Sequence, residues 1–141
     1  MKRKIMMLLM VFVLIINTQW SIRADDAENE ISLRYTHISS ISAGLSIDSS
    51  NVANCLGTVT IRDNYKSRMY VSLYKSSSSG SYSRIKMWAQ DFTGTGMKIM
   101  NKYYTVTRGY KYKVKVEVRI YNSAGNVIET AEKYSVTVDN T

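Results

Sequence analysis

The clearest pattern along the chain is an alternation of apolar and charged residues that begins at Tyr110. Tyrosine and β-branched residues at even positions alternate with lysine, glutamate and arginine at odd ones, in the order Tyr110, Lys111, Tyr112, Lys113, Val114, Lys115, Val116, Glu117, Val118, Arg119 and Ile120. Period-two alternation of this composition predicts a β-strand with one buried face. Asn122-Ser-Ala-Gly-Asn126 supplies turn chemistry, and residues 127–138 resume as a strand, so the region predicts a hairpin.

Shorter stretches of the same kind occur upstream. Residues 63–66 form a predicted turn, and the serine-rich run 75–81 is a predicted hairpin loop. The five further strands are predicted over 38–47, 52–62, about 69–74, 82–92 and 97–107. Seven short strands without an amphipathic helix of ten residues predict an all-β, two-sheet sandwich of the immunoglobulin or fibronectin-III kind, formed by residues 34–141.

The N-terminus has a different pattern. Three basic residues, Lys2, Arg3 and Lys4, precede an unbroken apolar run of 12 residues, 5–16. This order predicts a secretory signal peptide over residues 1–24, cut after Ala24. The run is too short to span a bilayer, which takes about 20 residues. An uncleaved interfacial anchor is the alternative. Residues 25–33 are acidic and polar and predict a disordered tail. We expect a secreted, extracellular protein that meets the membrane only through the uncleaved signal peptide.

Charge and composition narrow the classes of function. The 141 residues carry 19 Lys and Arg against 11 Asp and Glu, with one His, one Cys and no Pro. From residue 31 onward, 15 basic residues face 7 acidic ones. One Cys excludes an internal disulfide, and one His leaves little for metal binding or acid–base catalysis. No nucleophile elbow, zinc motif or phosphate loop occurs, so we expect neither an enzyme nor a cofactor.

Particular residues carry two resemblances. Tyr112 and the valines that follow it, ending in Tyr121-Asn-Ser-Ala-Gly125, resemble the penultimate strand and turn of fibronectin-III modules. Cys55 and Trp88 lie near the first Cys and core Trp of immunoglobulin domains, whose second Cys is missing here. The motif RYTHISSISAGLSI over 34–47, with Cys55-Leu-Gly57 and Trp88, resembles a family of small secreted proteins of Gram-positive bacteria. That family has no established function, so the resemblance implies secretion and fold and transfers no site residue.

Few residues offer chemistry. Cys55 with His37 as base would make a nucleophile. The alternation instead places Cys55 on a buried face, where Cys acts as a small hydrophobe. An intermolecular disulfide is a further alternative. Asp48, Asp63 and Asp91 lie at predicted strand ends, where carboxylates bind Ca²⁺ or, more commonly, form turns. Their spacing matches no calcium loop, so we expect no metal.

The outward side chains of the predicted sheet give the best functional lead. Basic residues project from one face of one strand, and tyrosines are expected on the same sheet; the candidates are Lys111, Lys113, Lys115, Arg119, Tyr70, Tyr74 and Tyr121. Tyrosine with basic residues suits a cell-wall glycan, an anionic polymer or a protein partner. A solvated face whose lysines deter aggregation is the competing interpretation. Nucleic acid is not an expected ligand of an exported protein.

These patterns together predict a function class. We expect a monomeric, non-catalytic binding module that acts at the cell envelope or outside the cell. The alternative is a structural or self-assembling secreted protein that links its copies through Cys55 or through free sheet edges.

Overall fold

The computed structural model describes residues 35–77 and 79–141. The predicted signal peptide, its cleavage at Ala24 and the acidic tail lie outside the described residues. Arg34–Thr141 forms one compact unit. Within the described part of the chain every regular element is a strand.

Eight strands make two antiparallel sheets. They are β1 (Ile38–Ile47), β2 (Val52–Ile61), β3 (Lys66–Ser76), β4 (Tyr82–Thr93), β5 (Gly96–Thr105), β6 (Tyr110–Tyr121), β7 (Val127–Tyr134) and β8 (Val138–Asn140). The first sheet has the order β1-β2-β5. The second has the order β4-β3-β6-β7, and β8 pairs with β6. The all-β sandwich predicted from the sequence is therefore confirmed.

The core lies between the two sheets and follows the alternation in the sequence. Every second residue of β2 and β6 is buried. The largest fully buried side chains are Tyr112, Ile38, Ile61, Met69, Leu73, Met100, Ile120, Val59, Val71, Val114, Val116 and Val118. Stacked sheets are about 10 Å apart, so these side chains from the two inner faces interdigitate. The outward residues of the same strands are left to form two solvent-facing surfaces.

Two polar devices fix the ends of strands. The carboxylate of Glu129 accepts hydrogen bonds from the backbone N–H groups of Thr36, His37 and Ile38, at 3.0, 2.9 and 3.2 Å. It thereby ties the start of β1 to β7 of the other sheet. The hydroxyl of fully buried Tyr112 accepts from Thr107 N at 3.0 Å and donates to Thr107 O at 2.8 Å. This pair of bonds holds the loop that leads into β6.

The structure corrects the predicted number of strands from about seven to eight. The last predicted strand, 127–138, ends at Tyr134, and β8 follows it. Ser135 causes the break, because its hydroxyl accepts the Val114 N–H at 2.9 Å and donates to Val136 O at 2.8 Å. A side chain thus takes a bond that belongs to the strand ladder, and Val136 turns outward to 76% exposure.

Candidate binding face on the second sheet

The predicted site residues share one surface, the outer face of the second sheet. On β6 it carries every odd residue from 111 to 121, and the register with β3 sets Tyr70 opposite Glu117 and Tyr74 opposite Lys113. Tyr121 lies opposite Lys66 at the far end. The structure therefore brings together Lys111, Lys113, Lys115, Arg119, Tyr70, Tyr74 and Tyr121 on two adjacent central strands.

The flanking strands add residues to this face that the sequence interpretation missed. Strand β7 contributes Glu132, opposite Glu117, and Tyr134, opposite Lys115. Strand β4 contributes the outward side chains Tyr82, Arg84, Met87, Ala89 and Asp91. They stand at even positions up to Arg84 and at odd positions from Met87 onward. The register shift between Leu73 and Tyr74 causes that change, since it leaves Ile85 without a partner.

A shallow depression of about 310 Å³ lies at the centre of the face. Its lining combines aromatic, basic and small polar side chains: Tyr70, Ser72, Tyr74, Arg84, Met87, Lys115, Glu117 and Arg119. Ser72 supplies the floor, because it is 5% exposed between the two tyrosines of β3. The guanidinium of Arg119 lies 5.0 Å from the ring centre of Tyr70, within the range of a cation–π contact.

Two of the four predicted cations are already paired with carboxylates. The Lys115 ammonium lies 2.5 Å from Glu132 Oε2 and 3.5 Å from Glu117 Oε2, and Arg119 lies 2.7 Å from Glu117 Oε1. The hydrogen bond with Glu132 raises the pKa of Lys115. Burial alone would raise the pKa of Glu117, but hydrogen bonding to Arg119 and the nearby positive charges together lower it. This network fixes side-chain geometry and neutralises the middle of the face.

The positive charge that is left for a ligand lies at one end of the face. The Lys113 ammonium is 4.0 Å from the ring centre of Tyr82 and 4.9 Å from that of Tyr134. Within the described part of the chain, no carboxylate lies within ion-pair distance of Lys111, Lys113 or Arg84. The sequence gives no reason to distinguish the four cations of β6. In the described structure, Lys115 and Arg119 pair with carboxylates, whereas Lys111 and Lys113 do not.

A second depression, of about 400 Å³, lies at the Tyr121 end of the sheet, where outward side chains meet the inward-facing Phe92. It is lined by Lys66, Phe92 and Tyr121, together with the Arg68–Asp91 ion pair, in which Nε and Oδ1 are 2.5 Å apart. From Lys66 to Tyr74 the strand extends roughly 27 Å at about 3.4 Å per residue. The face is thus elongated, with tyrosine rings distributed along its length.

The structure does not bring Cys55 and His37 together. Cys55 is fully buried, and burial raises the pKa of its thiol to about 11. The His37 ring instead contacts Asp63, with 2.7 Å between Nδ1 and Oδ2, and packs edge-on against Tyr65. A protonated thiol inside the core, with its only candidate base engaged elsewhere, is a packing residue.

The three aspartates considered for Ca²⁺ lie apart and have structural partners. Asp48 Oδ1 accepts the N–H groups of Ser50 and Val52, both at 2.9 Å, which is a turn-forming role. Asp63 pairs with His37, and Asp91 pairs with Arg68. Over residues 35–77 and 79–141, no three potential metal-binding side chains come together.

Comparisons with known proteins give a structural similarity but no family match. No family model matches the chain, and no curated protein matches it. Among solved structures, the solution structure of R. palustris CsgH is similar, with 16% sequence identity, a TM-score of 0.42, and coverage of 67% of this chain and 90% of that one. We base no argument on a likeness at that level. In the part of the chain that the structure describes, no helix has the length and hydropathy to cross a membrane.

Proposed function

We propose that the chain is a secreted, non-catalytic binding module that holds an anionic glycan or a similar anionic wall polymer on the outer face of its second sheet. One observation carries the proposal: Lys113 lies beside the rings of Tyr82 and Tyr134, at the end of the face where no carboxylate of the described residues pairs with the cations. Rings and free cations are therefore side by side.

This arrangement suits a charged sugar polymer for physical reasons. Tyrosine rings offer flat apolar surfaces with a polar edge, which pack against sugar rings. Free cations attract the acidic groups of the polymer and raise its local concentration. The ion pairs of Lys115, Glu117 and Arg119 hold the central side chains in place, so that fewer rotamers are lost on binding. The roughly 27 Å length of the face fits several sugar units rather than one.

We also propose that the sandwich is of the fibronectin-III-like immunoglobulin type. The double hydrogen bond of Tyr112 with Thr107 supports this assignment, because a buried tyrosine near the start of a strand that bonds back to the preceding loop is typical of such sandwiches. The loops at the two ends of the sheets leave the outer face of the second sheet open to an extended ligand.

Secretion is the premise for a ligand in the envelope. It rests on the basic start and the 12-residue apolar run described above. We expect the protein collected from culture medium to begin at Asp25. N-terminal sequencing of that protein tests the premise, and a first residue of Met1 would overturn it.

The binding experiment uses the chain from Asp25 with three immobilised probes: polygalacturonate, neutral dextran and polyglutamate. We expect retention on polygalacturonate that salt reverses, weaker retention on polyglutamate and none on dextran. No retention on either polyanion at low salt would overturn the proposal. Stronger retention on polyglutamate than on polygalacturonate would show that the tyrosine rings do not contribute sugar binding.

A matched pair of variants locates the binding surface. Arg84→Ser with Lys113→Ser removes two free cations from the outer face. Lys86→Ser with Lys102→Ser removes the same charge from β4 and β5 without touching that face. We expect the first double variant to lose most of the retention and the second to keep it. Equal losses would show that net charge, and not this face, holds the polymer.

The alternative, a self-assembling secreted protein, separates into two versions. The version through Cys55 would require the thiol to leave a fully buried position. In the version through sheet edges, copies would pair along an edge of the first sheet. The exposed edge strand β5 supports this version.

A further inference from the structure

The outer face of the first sheet differs from that of the second in carrying no charged residue. Its outward positions on β1 and β2 are mostly serine, threonine and asparagine, with larger side chains on β5: Ser40, Ser42, Gly44, Ser46, Val52, Asn54, Leu56, Thr58, Thr60, Met97, Ile99, Asn101, Tyr103 and Thr105. The hydroxyls bond across the strands, as between Ser42 and Thr58 at 2.6 Å. On a body with a large excess of basic residues, this is a surface where like-charged molecules meet without repulsion.

Strand β5 is an edge of that sheet, and its free backbone groups can be assigned. Val106 N donates to Asn51 O at 2.8 Å, which makes these two residues a hydrogen-bonded antiparallel pair. Such pairs recur at every second residue, so the even residues of β5 bond to β2. The odd residues, 97 to 105, therefore direct their N–H and C=O groups away from the sheet.

The same odd residues carry the most exposed apolar side chains of the first sheet. Met97 is 65%, Ile99 53% and Tyr103 63% exposed. Strand β5 is ten residues long, pairs with β2 without a bulge and holds no proline. Its two lysines, Lys98 and Lys102, lie on the inner side, so the usual protections of an edge strand are missing from the outer one.

Other edges of the sandwich are protected. The start of β1 is covered where Glu129 accepts the N–H group of Ile38 and those of the two residues before the strand, Thr36 and His37. Strand β4 has a register shift beside Ile85 and charged side chains on both of its faces, including Arg84, Lys86 and Asp91. Charges and bulges keep edges from pairing. Strand β1 has a register shift between Ile38 and Ser40, whereas β5 has neither a register shift nor a charge on its outer face.

When two β5 edges pair antiparallel about a two-fold axis, charge favours an axis at Asn101 over an axis one residue to either side. With the axis at Asn101, Lys98 lies opposite Tyr104 of the second copy and Lys102 opposite its Met100. With the axis at residue 100, Lys98 would face Lys102, and with the axis at residue 102, Lys102 would face itself. Like charges directly opposite are destabilising, so both shifted registers are disfavoured.

We propose that β5 pairs with β5 of a second copy of this chain, centred on Asn101, to form a six-stranded sheet β1-β2-β5-β5-β2-β1. About ten backbone hydrogen bonds join the two copies, because each of five residue pairs exchanges two. Ile99 packs beside Tyr103 of the second copy, an aromatic–β-branched pair of the kind that stabilises sheets. The interface is independent of the proposed ligand face, and it departs from the monomer expected from the sequence.

The first test is the mass in solution of the chain from Asp25, measured by light scattering over a wide range of protein concentration. We expect twice the mass of one chain at high concentration. Asn101→Lys places two lysines opposite each other on the axis and should return the mass to that of one chain, while Asn101→Ser should not. A single-chain mass for the wild type at every concentration, or a double mass for Asn101→Lys, would overturn the proposal.

The second test is the register. Asn101→Cys puts two thiols opposite each other across the axis, within the Cα separation that a disulfide spans. Thr105→Cys puts them roughly 27 Å apart along the strands, and Cys55 is buried in both variants. Under mild oxidation we expect the first variant to form a covalent dimer many-fold faster than the second. Equal rates would overturn the register, and polymer binding measured in parallel reports separately on the ligand face.

Discussion

Replacing Gly57 with alanine tests the packing of the two sheets. Gly57 points inward from β2, and a Cβ there would lie 2.8 Å from Val71 Cγ2, 3.0 Å from Met69 Sδ and 3.1 Å from Val116 Cγ2. The two valines belong to the central strands of the other sheet and have stiff side chains. Relief therefore requires the sheets to separate. Overpacking costs about 1–3 kcal/mol, and contacts this close belong in the upper part of that range, about 2–3 kcal/mol. The alanine returns about 0.4–1 kcal/mol through the unfolded chain, for a net loss of about 1–2.6 kcal/mol.

Gly44 supplies the matched control. It lies in β1 on the outer face, and a Cβ there would meet Leu56 Cβ at 3.5 Å, an ordinary contact. We expect Gly44→Ala to gain about 0.4–1 kcal/mol. Urea unfolding followed by the fluorescence of Trp88 should shift the midpoint down for Gly57→Ala and up for Gly44→Ala.

A second substitution identifies the cause of the loss at Gly57. Val71→Ala removes the nearest methyl group, so the double variant with Gly57→Ala should lose less than the two single losses combined. If Gly57→Ala were as stable as the wild type, the two inner faces would not meet at this position, and the packing described above would be refuted.

Three further predictions concern other parts of the sandwich. Tyr112→Phe leaves the Thr107 N–H without a partner, whereas the Thr107 carbonyl keeps its hydrogen bond from Asn140 Nδ2 at 3.2 Å; we expect a loss of about 1 kcal/mol in unfolding free energy, seen as a lower Tm. The lowered pKa of Glu117 means that its ion pairs stabilise the fold above its unfolded-state pKa and cease to do so as pH falls through the folded-state value. In acid titrations of stability, the difference between wild type and Glu117→Gln should therefore shrink below about pH 4.5; a constant difference would refute it. A thiol reagent should modify Cys55 only in denaturant, and rapid reaction in native buffer would show that the thiol is accessible.

The sequence predicted those parts of the fold that repeat with period two. The bounds of β1 agree with the predicted 38–47, and the buried and exposed sides of β6 follow its alternation. The division of the last strand escaped prediction because it depends on where the Ser135 hydroxyl finds a partner across the sheet. No pattern in the sequence distinguishes Ser135 from the residues around it.

The candidate site was predicted along single strands but not across them. The sequence indicates that the odd residues of β6 face outward, and it predicts Tyr70 and Tyr74 as neighbours only if the sheets pair as they do. It does not show that Glu132 neutralises Lys115, because that contact is set by the β6–β7 register. It also does not place Arg84 on the face, because the irregularity beside Ile85 reverses the parity of β4.

The most direct test of the central claim is to map the polymer on the protein by NMR. Backbone amide shifts of the chain from Asp25 would be followed during titration with oligogalacturonate. We predict the largest changes around Tyr74, Arg84, Lys113 and Tyr134, with the strands of the first sheet unchanged. Changes confined to β1, β2 and β5, or none at high ligand concentration, would contradict the assignment of the outer face of the second sheet as the binding surface.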